Sequence, residues 1–286
     1  MSNIDQFESL FRSAIRDVYE YRKLSFKHPL IVTDLQGQAD MDFINQVKLF
    51  SQTTDIAGNG EWHYLNKDDF FSTSELLNAV EALKPDLIFT YRNMHSEAWK
   101  YPHSLGEHLD VLIQKTDVPV FIMPHPTAGY AHDHAMKNCD VVMALTDHLS
   151  NDHELVNHAV YFTQNKGTLY LGHIEDVDIF NRYIEAISRI QTINTDEARE
   201  EIAKELLKQP ESYINSVIEH LSEKSLDMRV ISEVSFGHHL TEFRKRIDDY
   251  RVDLLVMNAK DSQQMAMHGL AYPLAIELRQ IPLLMI

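Results

Sequence analysis

The sequence predicts an α/β protein of two tandem units, each a mainly parallel sheet of about five strands flanked by helices, with the first unit incomplete. The segment 252–286 contains, in order, a buried strand, a loop, an amphipathic helix and a final apolar strand. The segment 85–124 has the same order when Asp86 is aligned with Asp253. Strands alternate with helices through the remaining chain, which favours a parallel sheet with right-handed crossovers.

The two matching segments share their detailed pattern. Asp86 and Asp253 each lead into a continuous apolar run, which is typical of a parallel strand covered on both faces. Pro119 and Pro282 begin the two final apolar strands, where a missing N–H is tolerated. The helices between these strands are predicted by apolar residues at helical spacing: Leu105, Leu109, Leu112 and Ile113 in the first segment, and Leu270, Leu274, Ile276 and Leu278 in the second.

The first unit, 1–124, is predicted to begin with a long amphipathic helix over 4–26. A buried strand over 29–34, a helix ending near Phe50 and a short strand over 61–65 follow. The cap candidates Ser72, Thr73 and Ser74 then precede a helix from Ser74 to Leu83. The strand 29–34 corresponds either to the first strand of the second unit, 141–145, or to its second strand, 168–173. The long helix before it favours the second alternative, so the first unit is expected to lack its leading strand.

The second unit, 139–286, follows a linker over 125–138 that contains proline, glycine and three histidines. Pro210 is expected to kink or split the charged helical region 195–224. The other predicted strands are 141–145, 168–173 and 229–235, and the other predicted helices are 152–165, near 178–190, and 240–250.

Composition excludes several classes of partner and location. The formal net charge of −17 repels nucleic acid and anionic membrane surfaces. No apolar run approaches the roughly 20 residues that a membrane span needs, and the first residues do not resemble a signal peptide. Cys139 is the single cysteine, which fits a reducing compartment. A soluble, cytoplasmic protein is expected.

Five segments together resemble the universal stress protein family in its tandem two-domain form. They are Asp140-Val-Val-Met-Ala-Leu-Thr-Asp147, Asn157-His-Ala-Val, Leu169-Tyr-Leu-Gly-His-Ile, Val252-Asp-Leu-Leu-Val-Met and Ile281-Pro-Leu-Leu-Met-Ile. The resemblance covers 139–286 and about 85–124. It implies a nucleotide-binding-like (adenine nucleotide α-hydrolase-like) fold in soluble cytoplasmic proteins linked to stress survival.

Some members of this family bind ATP, and the resemblance carries only part of that site over to this chain. Asp147 matches the family's aspartate after the first strand, and Asn258, Lys260 and Gly269 stand in the loop after the fourth strand. Asp261 occupies a glycine position, and a carboxylate about 5 Å from a phosphate costs roughly 3 kcal/mol, or about a hundredfold in affinity. In the first unit, the three corresponding positions hold Tyr91, Met94 and Ser104. The nucleotide sites are therefore degenerate, and no bound cofactor is expected.

The linker histidines are the other candidate site. His132 and His134, with His125 and Cys139 nearby, are metal-ligand types, but they lack the paired spacing of a structural zinc site. A solvated linker is the favoured interpretation.

Three functional hypotheses follow from the sequence. The first is a non-enzymatic stress-response protein that binds a protein or a small molecule, and the second is an ATP-binding, slowly hydrolysing switch in the second unit. A weaker third is metal binding by the central histidines. The final strands, 120–123 and 283–286, are expected to pair antiparallel, as in the family's dimers, so that one chain forms an intramolecular pseudo-dimer, with a higher oligomer left open.

Overall fold

A computed structural model describes residues 18–54, 56, 60–146, 149, 152–224, 226–260 and 271–286. These residues form nine strands and eight helices. The strands are β1 (Pro29–Val32), β2 (His63–Leu65), β3 (Leu87–Tyr91), β4 (Val120–Met123), β5 (Val141–Thr146), β6 (Thr168–Asp176), β7 (Arg229–Gly237), β8 (Leu254–Met257) and β9 (Leu283–Met285). The helices are α1 (Gln38–Gln52), α2 (Thr73–Leu83), α3 (Glu107–Lys115), α4 (His153–Phe162), α5 (Val177–Ser188), α6 (Thr195–Glu223), α7 (His239–Tyr250) and α8 (Ala271–Glu277).

The nine strands form one continuous sheet in the order β2-β1-β3-β4-β9-β8-β5-β6-β7. Of its eight neighbouring strand pairs, seven are parallel and β4–β9 is antiparallel. Strands β1, β3, β4 and β8 are buried at every residue, which requires cover on both faces of the sheet. The predicted α/β class with a mainly parallel sheet is confirmed. The predicted boundaries at 124 and 138 stay predictions.

Strand β1 is the leading strand of the first half, so the prediction that the first unit lacks one is wrong. β1 lies between β2 and β3, just as β5 lies between β6 and β8. The first half has no counterpart of β7 among its described residues, because β2 ends the sheet there. The prediction took the long segment before β1 for a crossover helix and so matched β1 to the second strand of the second unit. A strand's position in a sheet is set by its pairing partners, and these place β1 first.

The two halves of the sheet meet at β4 and β9. Phe121 pairs with Leu284, and the pairs Val120 with Met285 and Ile122 with Leu283 flank it. All six side chains are at most 1% exposed. The predicted antiparallel pairing of the two final strands is confirmed.

Two helices test predictions made from local sequence signals, a cap at the start of α2 and a proline inside α6. Ser72 caps α2, accepting a hydrogen bond from the Glu75 N–H while the Glu75 carboxylate accepts from the Ser72 N–H, so the predicted cap is confirmed. Pro210 lies inside the continuous helix α6, so it does not split it. The carbonyl left without its usual donor belongs to Leu206, on an exposed turn where water can solvate it.

The segment 18–26 crosses from the first half of the chain onto the second. The buried Tyr19 hydroxyl donates to Asn157 Oδ1 on α4 at 2.7 Å, and the Tyr19 N–H donates to Ser216 Oγ on α6 at 3.0 Å. Phe26 stacks on Phe162 at 5.7 Å between ring centroids. This part of the predicted helix 4–26 is not helical, and 4–17 lies outside the described residues.

No helix in the described part of the chain combines the length and apolar character needed to cross a membrane.

Candidate functional site

Two crevices are expected at the carboxyl ends of the parallel strands, where the chain reverses its direction across the sheet. In the first half this point lies between β1 and β3, and in the second half between β5 and β8. The strand registers make the two positions equivalent, because Leu30 pairs with Ile88 as Met143 pairs with Leu255.

Asp34 is the central side chain of the first crevice, and sequence reasoning missed it. It follows β1 in Val32-Thr33-Asp34, as Asp147 follows β5 in Leu145-Thr146-Asp147. Asp147 itself lies outside the described residues. The repeated hydrophobic-Thr-Asp triplet was the signal, and it was overlooked because β1 had been matched to the wrong strand of the second unit.

Tyr91, the last residue of β3, fills the first crevice. Its hydroxyl donates to Asp34 Oδ1 and accepts from the Asp34 N–H at 3.0 Å. The other carboxylate oxygen accepts from the His95 N–H at 2.7 Å. Burial, and then the neighbouring Asp34 carboxylate, raise the pKa of the Tyr91 hydroxyl, so it stays protonated. Both carboxylate oxygens of Asp34 therefore accept a hydrogen bond from a residue of the same chain.

The loop after β3 is closed by its own side chains at the positions where the family's pattern has glycines. Ser104 Oγ donates to Asn93 Oδ1 at 3.1 Å, and the Asn93 N–H donates to the Leu105 carbonyl at 2.7 Å. Met94 is buried, and its sulfur accepts from Thr90 Oγ1 at 3.3 Å. Gly106 has φ of +90°, and a side chain there would lie 2.6 Å from the Asn93 Cα. Contacts between Asn93 and the residues Ser104 and Leu105 thus hold the two ends of the loop together.

Aromatic and histidine rings line the same edge of the sheet. His125, after β4, is 7% exposed and contacts the Tyr91 ring edge-on at 4.9 Å and the Trp99 ring face-on at 4.8 Å. Burial lowers the pKa of His125 to about 4, with Arg92 lowering it further and Asp34 opposing the shift. Burial also lowers the pKa of His95, so both imidazoles are neutral at pH 7. The crevice is an aromatic surface around one carboxylate.

Acid is expected to destabilise the protein partly through His125. Its pKa of about 4 in the folded state lies below the usual 6.5, so between these values the unfolded state binds more protons. The stability that the neutral His125 contributes is fully present above about pH 6.5 and is lost as the pH falls toward 4. This loss of unfolding free energy reaches up to about 3 kcal/mol. The variant His125→Phe keeps a ring against Trp99 without titrating.

Urea unfolding at pH 7.5 and pH 5 measures this effect. We expect the loss of unfolding free energy on acidification to be smaller by about 2 kcal/mol in His125→Phe than in the unaltered protein. His103→Phe is the matched control, because His103 is exposed, and it should leave the pH dependence unchanged. Equal pH dependence in all three proteins would contradict the assignment.

In the second crevice the predicted nucleotide residues lie in two different places. Asn258 Nδ2 donates to Asp152 Oδ2 at 2.5 Å, at the first turn of α4. Lys260 Nζ donates instead to the Thr116 carbonyl at 2.7 Å and lies 3.2 Å from Asp117 Oδ1, both in the first half. Gly269, like Asp147, lies outside the described residues. The structure does not bring Asn258 and Lys260 to a common partner.

Lys260 and Arg92 make related contacts across the junction of the two halves. Arg92, after β3, donates from Nε and Nη2 to the Ala275 carbonyl at 3.0 and 2.8 Å, and from Nη2 to the Leu278 carbonyl at 2.5 Å. Arg92 of the first half thus lies at the C-terminus of α8, and Lys260 of the second half lies at the C-terminus of α3. The helix dipole favours positive charge at both places. Arg92 is fully buried, whereas Lys260 is 26% exposed.

Two grooves lie beside the Lys260 contact. A cavity of about 480 Å³ runs between α2 and α3, and one of about 220 Å³ lies at the β4–β9 junction. Both include the turn Thr116, Asp117 and Val118. The larger one falls within the 300–1,000 Å³ range that is typical of small-molecule sites, and the smaller one falls below it.

The central histidines do not converge on a third ligand within the described residues. The His132 and His134 rings stack at 5.3 Å, but His134 Nε2 lies 3.2 Å from the Val252 carbonyl and His132 Nε2 lies 3.9 Å from Asp248. The cluster of three metal-ligand side chains that the described residues do contain is elsewhere, at His28, Glu61 and His63.

The similarity of this chain to known proteins is structural and distant. No protein-family model and no curated protein matches the chain. A universal stress protein from Archaeoglobus fulgidus DSM 4304 matches 91% of this chain and 85% of its own, at 9% identity and a TM-score of 0.47. A functionally unknown protein from Pseudomonas aeruginosa PAO1 matches all of this chain and 88% of its own, at 11% identity and a TM-score of 0.48. Similarity at this level concerns the fold alone.

Proposed function

We propose that this chain is a non-enzymatic, cytoplasmic stress-response protein of the universal stress protein type, which acts by binding a protein or a small molecule. The observation that carries the proposal is the contact between Tyr91 and Asp34. The carboxylate that corresponds to the family's adenosine-binding aspartate accepts hydrogen bonds from the Tyr91 hydroxyl and the His95 N–H of the same chain. The first half is then a structural unit without a nucleotide.

The free-energy cost of opening this crevice supports the proposal. A nucleotide sugar that takes the place of Tyr91 must break the hydrogen bond from its hydroxyl to the Asp34 carboxylate, and a hydrogen bond to a charged group contributes about 1.5–3 kcal/mol. It must also displace a buried ring that packs edge-on against Phe43 at 4.9 Å. The loop from Asn93 to Ser104 is braced by side chains instead of glycines: Asn93 Nδ2 donates to the Ser104 carbonyl at 3.2 Å, and Ser104 Oγ donates to Asn93 Oδ1 at 3.1 Å.

The second half carries the alternative, an ATP-binding switch that uses Asp147, Asn258, Lys260 and Gly269. This alternative requires Lys260 to leave the Thr116 carbonyl and Asn258 to leave Asp152. Asp152 is itself held at the N-terminus of α4 by the Leu155 N–H. Both contacts favour a second half that binds no nucleotide, and they make the first hypothesis the preferred one.

Addition of millimolar Mg-ATP is expected to leave the melting temperature nearly unchanged, and native mass spectrometry is expected to show no bound nucleotide. A ligand at a hundred times its dissociation constant stabilises by about 2.7 kcal/mol, a shift of several degrees. One stoichiometric ATP would overturn the proposal. In that case the matched variants Asp34→Ala and Asp147→Ala identify the half that binds it, because only one of them should abolish binding.

A further inference from the structure

Three metal-ligand side chains converge at the end of the sheet opposite to the Asp34 crevice. His28 directly precedes β1, His63 begins β2, and Glu61 lies two residues before His63. One potential ligand atom from each side chain lies within 4.8 Å of the others. The two imidazole rings are 6.1 Å apart between centroids and inclined by only 28°. None of these residues belongs to either crevice.

The strand geometry explains why the three side chains share a face. Residues two apart on an extended strand point to the same side, which brings Glu61 and His63 together. The register pairs Leu30 with His63, and its continuation places His28, just before β1, beside Glu61, just before β2. Trp62, between the two ligands, packs on Phe89 at 5.8 Å. A Glu-x-His sequence that leads into an edge strand, beside a histidine just before the next strand, is the signal in the sequence.

The backbones that carry the ligands are tied together. The Asp86 carboxylate accepts from the N–H groups of Lys27 and His28, and the Asp86 N–H donates to the His28 carbonyl at 3.2 Å. The Glu61 N–H donates to the Lys27 carbonyl at 2.9 Å. A side chain at Gly60 would lie only 3.2 Å from that carbonyl, so glycine permits this close approach. The ligand backbones are thus positioned before any ion arrives.

We propose that His28, Glu61 and His63 form a binding site for a divalent transition-metal ion of the zinc type. Two imidazoles and one carboxylate are a ligand set that zinc accepts with water in the remaining position. Tetrahedral coordination with bonds of about 2.0–2.1 Å places ligand atoms about 3.4 Å apart. The ligand atoms of the three side chains lie within 4.8 Å of one another, so they need to approach by little more than about 1 Å. Among the described residues, none is hydrogen-bonded to the side chain of His28, Glu61 or His63.

The site has a structural consequence because β2 ends the sheet. β2 has three residues and pairs with β1 alone. An ion that joins His28 before β1 to His63 on β2 would clamp this edge strand to its neighbour and stabilise the folded state by linkage. His28 and Glu61 are exposed, so the ion would exchange with solvent, and the net charge of −17 favours attraction of cations.

The test uses the full chain without an affinity tag, treated with a chelator and then dialysed. Calorimetric titration with zinc chloride should show one equivalent bound with micromolar affinity, and saturating zinc should raise the melting temperature. Cobalt(II) should give visible absorption bands from the same site. The double variant His28→Ala, His63→Ala should lose at least about tenfold in affinity, and Glu61→Gln should weaken binding while leaving the imidazoles in place.

The matched control is the double variant His132→Ala, His134→Ala, which removes another pair of neighbouring histidines. It should bind zinc as the unaltered protein does. Without metal, the melting temperatures of the variants at His28, Glu61 and His63 should agree with that of the unaltered protein, because His28 and Glu61 are exposed and His63 is only half-buried. The proposal is overturned if no zinc binds at 100-fold excess over the protein, or if removal of His28 and His63 leaves affinity and stoichiometry unchanged.

Discussion

A chain that ends at Pro282 is expected to be unfolded or aggregated. The truncation removes residues 283–286, and with them β9, which lies in the middle of the nine-stranded sheet between β4 and β8. Leu283, Leu284 and Met285 are at most 1% exposed. At about 1.5–3 kcal/mol for each buried side chain, the loss is roughly 5–9 kcal/mol, which is comparable to the whole stability of a typical domain.

The lost backbone pairing adds to this cost. The Ile286 N–H donates to the Met257 carbonyl at 3.1 Å, and the Ile286 carbonyl accepts from the Ala259 N–H at 2.7 Å. Without β9, the sheet separates into two halves, and β4 and β8 each become an unpaired apolar edge that invites association. Size-exclusion chromatography and circular dichroism measure the outcome. A soluble truncation with one cooperative melting transition would contradict the prediction.

A milder substitution tests the same junction without loss of the strand. Leu284→Ala removes a side chain that pairs with Phe121 and is expected to lower the free energy of unfolding by about 2–5 kcal/mol. The matched control is Leu206→Ala on α6, where the side chain is 36% exposed and the change should stay within about 0.5 kcal/mol. Equal effects of the two substitutions would argue against a central role of β9.

The elements that the sequence predicted well are those with their own local signals. The apolar runs that became β3, β4, β8 and β9 are continuous, bounded by aspartate or proline, and repeated in the same order. Ser72 was among the predicted cap candidates for α2, and the structure adds Glu75 as its partner in a capping box. The antiparallel pairing of β4 with β9 also had a signal in the sequence, because two short apolar strands each need a partner for their edge.

The misplacement of β1 shows which information the sequence lacked. Its apolar residues are compatible with several positions in a parallel sheet, because each such strand is buried on both faces. Its position follows from hydrogen bonds to strands that lie roughly 30 and 60 residues later. The helical periodicity of 4–26 was also misleading, since from Val18 onward the segment is held by contacts to α4 and α6 rather than by a helix.

The candidate site was predictable only in part, for a similar reason. The spacing of Tyr91, Met94 and Ser104 showed that the glycine pattern is absent, and the structure shows what replaces it. That Tyr91 reaches Asp34 depends on two strands lying side by side, which spacing along the chain does not reveal. Lys260 was predicted as a nucleotide-site residue of the second half, and the structure shows it in contact with the C-terminus of α3 in the first half.

Arg92→Met is expected to destabilise the protein by about 2–4 kcal/mol, although methionine fills much of the same volume. The guanidinium is the donor to the buried carbonyls of Ala275 and Leu278, and each carbonyl left without a partner costs about 1–3 kcal/mol. Removing a buried cation offsets part of this loss, because burial lowers the pKa of Arg92 to about 10 and no carboxylate pairs with it among the described residues.

Lys260→Met is the matched control, because it removes a cation from the corresponding place at the C-terminus of α3. Lys260 is 26% exposed, so water can reach the Thr116 carbonyl, and the expected loss is below about 1 kcal/mol. Arg92→Lys adds a third comparison: it keeps the charge but loses the planar fork that reaches both carbonyls, so it should lie closer to Arg92→Met than to the unaltered protein. Urea unfolding at pH 7.5 measures all three. If Arg92→Met and Lys260→Met lower the free energy of unfolding equally, or Arg92→Met is neutral, the buried arginine does not hold the two halves together.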